Sequence, residues 1–178
     1  MSASSTCELS DRFALETVWQ LEKPQLVDSV KDFWIGQGIP PAVTIGRAGQ
    51  ICAVATEVDS IVAVSTATPY YHQHMRNKFF VYRCMVAPAA RQQNLAWKIS
   101  SYSLKILQDW SERNPQEKVL GLIICVETDK FTAGLRRPVR EKYGFNMHFV
   151  GYSANGQQLR VVWFDHAELD DSAIPHHA

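Results

Sequence analysis

One stretch of this chain has the residue types and spacing to hold an anion. It reads Val86-Ala87-Pro88-Ala89-Ala90-Arg91-Gln92-Gln93-Asn94-Leu95-Ala96. A β-rich run ends at Val86 and Ala87, and a helical pattern takes over at Ala90. Small residues at such a junction let a ligand approach the backbone. The first amides of a helix have no intrahelical partners, and the helix dipole adds partial positive charge there. The junction therefore suits a phosphate or pyrophosphate, with Arg91 placed to add a charge-assisted hydrogen bond. Any strand-to-helix turn has amides of this kind, so a plain crossover loop is the alternative reading.

The elements that must position this junction are legible around it. Residues 79–87 are rich in aromatic and β-branched side chains and stop at Pro88. Over 90–110, Leu95, Ile99, Tyr102, Ile106 and Trp110 recur at three- and four-residue steps and share one helix face. Asn114 and Pro115 close that helix. Residues 119–126 form a continuous apolar run, as expected of a strand covered on both faces. Strand, long helix and strand predict a βαβ unit, with two parallel strands and a right-handed crossover.

Upstream, residues 13–21 predict a first strand. Pro24 opens a helix with Leu26, Val27, Val30, Phe33 and Trp34 at helical spacing, closed by Gly36, Gly38, Pro40 and Pro41. Residues 50–57 and 61–68 predict a hairpin through Val58, Asp59 and Ser60. A polar connection over 69–78 carries His72, His74 and Arg76. Downstream, 135–143 predicts a short basic helix containing Pro138 and stopped by Gly144. Residues 147–153 and 159–165 predict a hairpin through Asn155-Gly156. The order predicts an α/β chain with a mixed sheet. We expect a single domain over 11–168, between a flexible N-terminus at 1–10 and a flexible tail at 169–178.

Composition narrows the function classes. The chain has 178 residues, of which 46% are hydrophobic and 20% charged, enough to bury a core. Eighteen basic residues balance eighteen acidic ones. That removes a global electrostatic case for nucleic acid or an anionic membrane. No apolar run approaches the ~18–20 residues of a membrane helix, and no basic-then-apolar signal opens the chain. Cys7, Cys52, Cys84 and Cys125 lie far apart, with no C-x-x-C pair and no zinc spacing. They predict buried free thiols in a reducing cytoplasm, and no metal.

Two motifs carry a resemblance. Arg91-Gln92-Gln93-Asn94-Leu95-Ala96, between a strand and a long helix, resembles the Arg/Gln-x-x-Gly-x-Gly/Ala cofactor loop of the GNAT family of N-acetyltransferases. Arg140-Glu141-Lys142-Tyr143-Gly144-Phe145 matches that family's Tyr-Glu-Lys-x-Gly-Phe signature in all but its first residue. The element order is similar over roughly residues 10–165. The resemblance implies a GNAT-like acyl-CoA N-acyltransferase fold, a mixed central sheet with splayed parallel strands and flanking helices. It implies acetyl-CoA or another acyl-CoA as donor and a primary amine as acceptor, entering from the opposite side. The amides of Gln92, Gln93, Asn94, Leu95 and Ala96 would hold the pyrophosphate, with Arg91 and Trp97 flanking it. Met85, Val86 and Ala87 would offer backbone groups to the pantetheine arm, and the acyl carbonyl would lie near Arg83 to Met85. Edge strands of this fold pair between subunits, so a homodimer is an expectation.

Two departures from the family pattern matter. Asn94 stands where the family has glycine, and asparagine is among the few residues that tolerate the left-handed region. Arg140 stands where the family often places a tyrosine as general acid. Arginine is a poor proton donor, so its expected role is to stabilise the leaving thiolate. Tyr143, three residues on, is the alternative source of a hydroxyl. Glu127 is the candidate base, with Tyr82, His72 and His74 as others, and a water relay would make a single base unnecessary. Three other functions fit the same residues. They are a catalytically impaired module that binds CoA or a partner, an acyltransferase with a longer acyl donor or a non-amine acceptor, and a thioester route through Cys84.

Overall fold

Among the described residues, eight strands form one sheet in the order β1-β2-β3-β4-β5-β8-β7-β6, and only β4 and β5 in it run parallel. The computed structural model describes residues 12–126 and 133–169. In chain order the elements are β1 (Ala14–Thr17), α1 (Pro24–Gly36), α2 (Pro41–Arg47), β2 (Ile51–Glu57), β3 (Ser60–His72) and β4 (Asn77–Val86). Then come α3 (Leu95–Arg113), β5 (Val119–Val126), β6 (Val139–Lys142), β7 (Phe145–Tyr152) and β8 (Gln158–Trp163).

Side chains alternate across a strand, and the helices use the two faces so created. Val30 and Trp34 of α1 pack on Val54 and Val64. Leu95 and Ile99 of α3 pack on Ala53, Ala55 and Ala63 from the other side. Further along, Leu107 of α3 meets Phe80, Leu122 and Val162. Small alanines on β2 and β3 let α3 lie close, and serines complete the contact. Ser65 Oγ is 2.8 Å from Ser103 Oγ, and Ser103 donates to the Ile99 carbonyl at 2.7 Å.

The predicted βαβ unit is β4-α3-β5. The predicted hairpin is β2-β3, turned by Val58 and Asp59 at positive φ. Other expectations change. The first strand covers only Ala14–Thr17, and β3 runs on to His72, so the polar connection shrinks to residues 73–76. Residues 41–47, between the first helix and the hairpin, form the short helix α2.

The largest correction falls on 135–143, which is not a helix. A single 3-10 turn, Ala133–Arg136, is followed by strand β6, which pairs with β7. Pro138 cannot donate a backbone hydrogen bond, so it breaks the helical pattern, and Val139 favours a strand. Tyr143 and Gly144 then take φ of 53° and 75°. Positive φ at both central residues is what a two-residue hairpin turn of type I′ requires. The Tyr143 conformation is held by Ser101, whose hydroxyl donates to its carbonyl at 2.7 Å.

Gly121 reports on how tightly β5 lies against β8. A Cβ there would sit 2.2 Å from the Val162 carbonyl oxygen. Gly121→Ala is therefore expected to destabilise the fold by about 1–3 kcal/mol in urea denaturation, the usual cost of overpacking. A loss below about 0.5 kcal/mol would contradict this spacing.

Candidate functional site

The parallel pairing of β4 with β5 stops partway. The partners are Lys78 with Val119, Phe80 with Leu122 and Val81 with Ile123. Beyond Val81, β4 continues along β3, while β5 continues along β8 through Ile124–Arg160, Cys125–Leu159 and Val126–Gln158. The two strands part, leaving a gap. The Ala87 N–H donates across to the Val62 carbonyl at 2.8 Å. Residues alternate along an antiparallel ladder, so the main-chain groups of Cys84 and Val86 point away from β3, into the gap. The Val86 carbonyl is taken by Arg91 Nε at 3.1 Å.

The junction after β4 closes the outer end of this gap. Pro88–Gln93 forms a 3-10 helix, Asn94 takes φ 57° and ψ 14°, and α3 begins at Leu95. Asn94 thus adopts the left-handed conformation that a glycine would take most easily. Its carbonyl accepts the Trp97 and Lys98 amides at 3.0 and 3.1 Å. Among the described residues no side chain caps α3, and its first turn holds no acidic residue. The Leu95 and Ala96 amides consequently have no intrahelical acceptor. The Asn94 side chain is engaged elsewhere, its Oδ1 accepting Lys142 Nζ at 2.5 Å.

Strand β6 brings cations to this junction. Arg140 and Lys142 are two apart and so share a side of β6. The Arg140 guanidinium lies 4.7 Å over the Trp97 ring. Trp97 meets Phe145 edge-on at 6.2 Å, and Phe145 lies 6.1 Å from Tyr82 on β4. A third cation sits below them. Arg160 of β8 is fully buried. Its Nε and Nη2 donate to Gln158 Oε1, and Nη2 also donates to the carbonyls of Leu135 at 2.8 Å and Arg137 at 3.0 Å. Its Nη1 has no acceptor among the described residues. Burial, and then the nearby Arg140, push the Arg160 pKa below its usual value. An arginine starts so high that it remains charged. Sequence reading missed Arg160, and its only signal was one charge inside the run Gln158–Trp163.

The other candidates are spread out. Tyr143 is exposed in the β6–β7 turn, beside Ser101 and Lys105 of α3. Glu127 lies outside the described residues. Tyr82 is buried, and its hydroxyl donates to Ser100 Oγ at 3.1 Å. Burial, and then Cys84, hold the Tyr82 pKa well above 10. Burial also pushes the Cys84 thiol to about 12, so it is not a thiolate near neutral pH. His72 and His74 face each other at 6.1 Å near the β3–β4 turn, at the opposite end of β4 from the gap. Burial and then His74 lower the His72 pKa. Among the described residues, no group of three His, Cys, Asp or Glu side chains could hold a metal ion.

A groove of about 980 Å³ opens at the C-terminal end of α3, lined by Tyr71, Lys78, Glu117 and His166. Its polar groups satisfy one another. Lys78 pairs with Glu117 at 2.7 Å, His166 with Glu112 at 3.3 Å, and Ser111 donates to the Val119 carbonyl at 2.9 Å. The strand gap, with unclaimed backbone donors, is the better candidate.

No protein-family model matches the chain, and no curated protein matches it. Solved structures do. The ribosomal-protein-S18-alanine N-acetyltransferase from Escherichia coli is 12% identical, with TM-score 0.51, covering 91% of this chain and 99% of that one. An acetyltransferase of the GNAT family from Streptococcus pneumoniae is 11% identical, with TM-score 0.51, covering 85% and 99%. The chain has the GNAT fold. Identities this low speak for the fold alone. Within the GNAT fold of this chain, the Tyr-Glu-Lys-x-Gly-Phe counterpart is strand β6, its turn and the first residue of β7.

Asn94 tests the junction directly. Asn94→Ala and Asn94→Gly both lose the Lys142 contact, but only alanine carries the left-handed penalty. Asn94→Ala is expected to be about 1 kcal/mol less stable than Asn94→Gly in urea denaturation. Equal stabilities would contradict the positive φ.

Proposed function

We propose that this protein is an acyltransferase that takes an acetyl group from acetyl-CoA and delivers it to a primary amine. The observation that carries this reading is the uncapped N-terminus of α3, placed where β4 and β5 part. In this reading the Leu95 and Ala96 amides bind the pyrophosphate, with the junction from Arg91 to Asn94 around it. Trp97 flanks the cofactor. The pantetheine arm lies along Met85, Val86 and Ala87 and uses backbone groups that β5 leaves free.

The chemistry then follows from what the residues offer. The amine nitrogen attacks the thioester carbonyl, the C–S bond breaks, the amine gives up a proton and the thiolate leaves. The Cys84 amide, facing the gap, is suited to the developing carbonyl oxyanion. Arg140 is suited to the thiolate as a fixed positive charge. It cannot serve as an acid, since a guanidinium does not release its proton at working pH. Glu127 is carried forward as the candidate base and Tyr143 as the alternative acid. The fold neighbours support the donor class. One of them is a mutant of the toxin AtaT bound to the C-terminus of the antitoxin AtaR and acetyl-CoA. It has TM-score 0.50 and 9% identity, covering 86% of this chain and 94% of that one.

A second reading is favoured by the dispersal of proton-transfer groups. With Tyr82 buried, His72 and His74 at the far end of β4 and Tyr143 beside the middle of α3, the same cleft would bind CoA without turnover.

Calorimetric titration with acetyl-CoA, CoA and ATP, followed by an assay of amine-dependent thiol release, separates these. Micromolar binding of acetyl-CoA and CoA but not ATP is expected, and Ala96→Asp should abolish it while circular dichroism stays native. Unchanged affinity in Ala96→Asp would overturn the placement of the pyrophosphate. Binding without thiol release across an amine panel would favour the second reading.

A further inference from the structure

The buried guanidinium of Arg160 is unlike any other charged group among the described residues. It is fully buried, and no carboxylate among those residues forms an ion pair with it or with Arg140. Its four hydrogen bonds go to three neutral oxygens, the carbonyls of Leu135 and Arg137 and the Gln158 amide. Among the described residues its Nη1 is left with no acceptor. The Arg140 side chain lies over Gly134, where an added Cβ would come 3.0 Å from its Nε, and Arg160 holds the carbonyl of the next residue, Leu135, at 2.8 Å. Two neighbouring guanidinium groups, one of them buried with an idle donor, form an incomplete arrangement that an anionic oxygen pair completes. Carboxylate matches the planar guanidinium fork in a bidentate way.

The position of Arg160 says which part of a ligand would bring that anion. On β8, Arg160 and Val162 lie on one face, and Val162 packs with Leu107 of α3. Arg160 is therefore on the α3 side, the side of the phosphate-suited junction. Along the gap it is paired with Ile124, the first β5 residue after the last β4–β5 pair. That is the inner end. The Leu95 and Ala96 amides lie past Val86, five residues farther along β4, or roughly 16 Å at strand rise. A donor with its phosphates at the outer end has its acyl group at the inner end.

We propose that Arg160 and Arg140 form a carboxylate site for the acyl group of the donor, so that the preferred donors are CoA thioesters of dicarboxylic acids. The proposal rests on the acyl-CoA reading above and refines its substrate class. The other source of an anion is a CoA phosphate, and the test separates the two.

The experiment compares calorimetric affinities for malonyl-CoA, succinyl-CoA, butyryl-CoA and CoA in the wild type, Arg140→Gln and Arg160→Met. Arg140→Gln keeps every hydrogen bond of Arg160, so it remains informative if Arg160→Met fails to fold. In the wild type, malonyl- or succinyl-CoA is expected to bind at least about tenfold more tightly than butyryl-CoA, the scale of one charge-assisted hydrogen bond. In Arg140→Gln that ratio should fall to near one. A wild-type ratio near one overturns the proposal while CoA binding still supports the donor reading. Equal weakening of all four ligands in the variants, with the ratio unchanged, assigns the arginines to a phosphate and also overturns it. Absence of binding by every CoA species overturns both readings.

Discussion

Everything at this site depends on β4 and β5 ceasing to pair after Val81 and Ile123. A parallel pair that continued would use its backbone donors and leave no cleft. Here each strand keeps its other neighbour. β4 stays in register with β3 through to Ala63–Val86, and β5 stays with β8 to Val126–Gln158. Both strands are thus held from outside while the space between them opens. Backbone groups that face an opening still need partners. One of them, the Val86 carbonyl, is met by Arg91. The crossover helix starts at the mouth of the same opening, because α3 must return over the sheet to reach β5. Two sets of unclaimed amides, one from a strand and one from a helix, therefore face one place.

Charge is distributed to match. The chain as a whole is neutral, with 18 basic and 18 acidic residues. Around the junction, however, Arg91, Arg140 and Lys142 are brought together from the 3-10 turn and β6, and Arg160 of β8 lies toward the inner end of the gap. Lys142 holds Asn94, and Arg140 lies on Trp97. Arg160 ties the carbonyls of Leu135 and Arg137 to the sheet. Those carbonyls sit where a helix was expected and a single 3-10 turn stands instead. The guanidinium supplies them with donors, at the desolvation cost of a buried charge.

The sequence made the βαβ unit readable because each part had a strong pattern. Residues 119–126 are continuously apolar, and Leu95 to Trp110 repeat at helical spacing. Asn94 was readable as a left-handed residue from its chemistry. What stayed hidden depended on tertiary contact. The strand at Val139–Lys142 is only four residues long and gains its partner from β7, so local charge and Pro138 suggested a helix. The Tyr143-Gly144 turn places a tyrosine at positive φ, which a hydrogen bond from Ser101 supports and no local rule predicts. Arg160 went unmarked because a lone charge in a strand says nothing of burial, which here depends on the carbonyls of Leu135 and Arg137. Ser100 and Ser103 of α3, both buried, follow the same logic in reverse, their hydroxyls meeting Tyr82 and Ser65 once the helix packs on β4 and β3.

The central claim is that the gap between β4 and β5 and the start of α3 hold one ligand, an acyl-CoA. Hydrogen–deuterium exchange with and without saturating CoA tests this most directly, because it reads the amides themselves. Slower exchange confined to residues 83–87 and 92–97 is the predicted result. Protection centred on the groove around residues 111–119, or none anywhere, would contradict it.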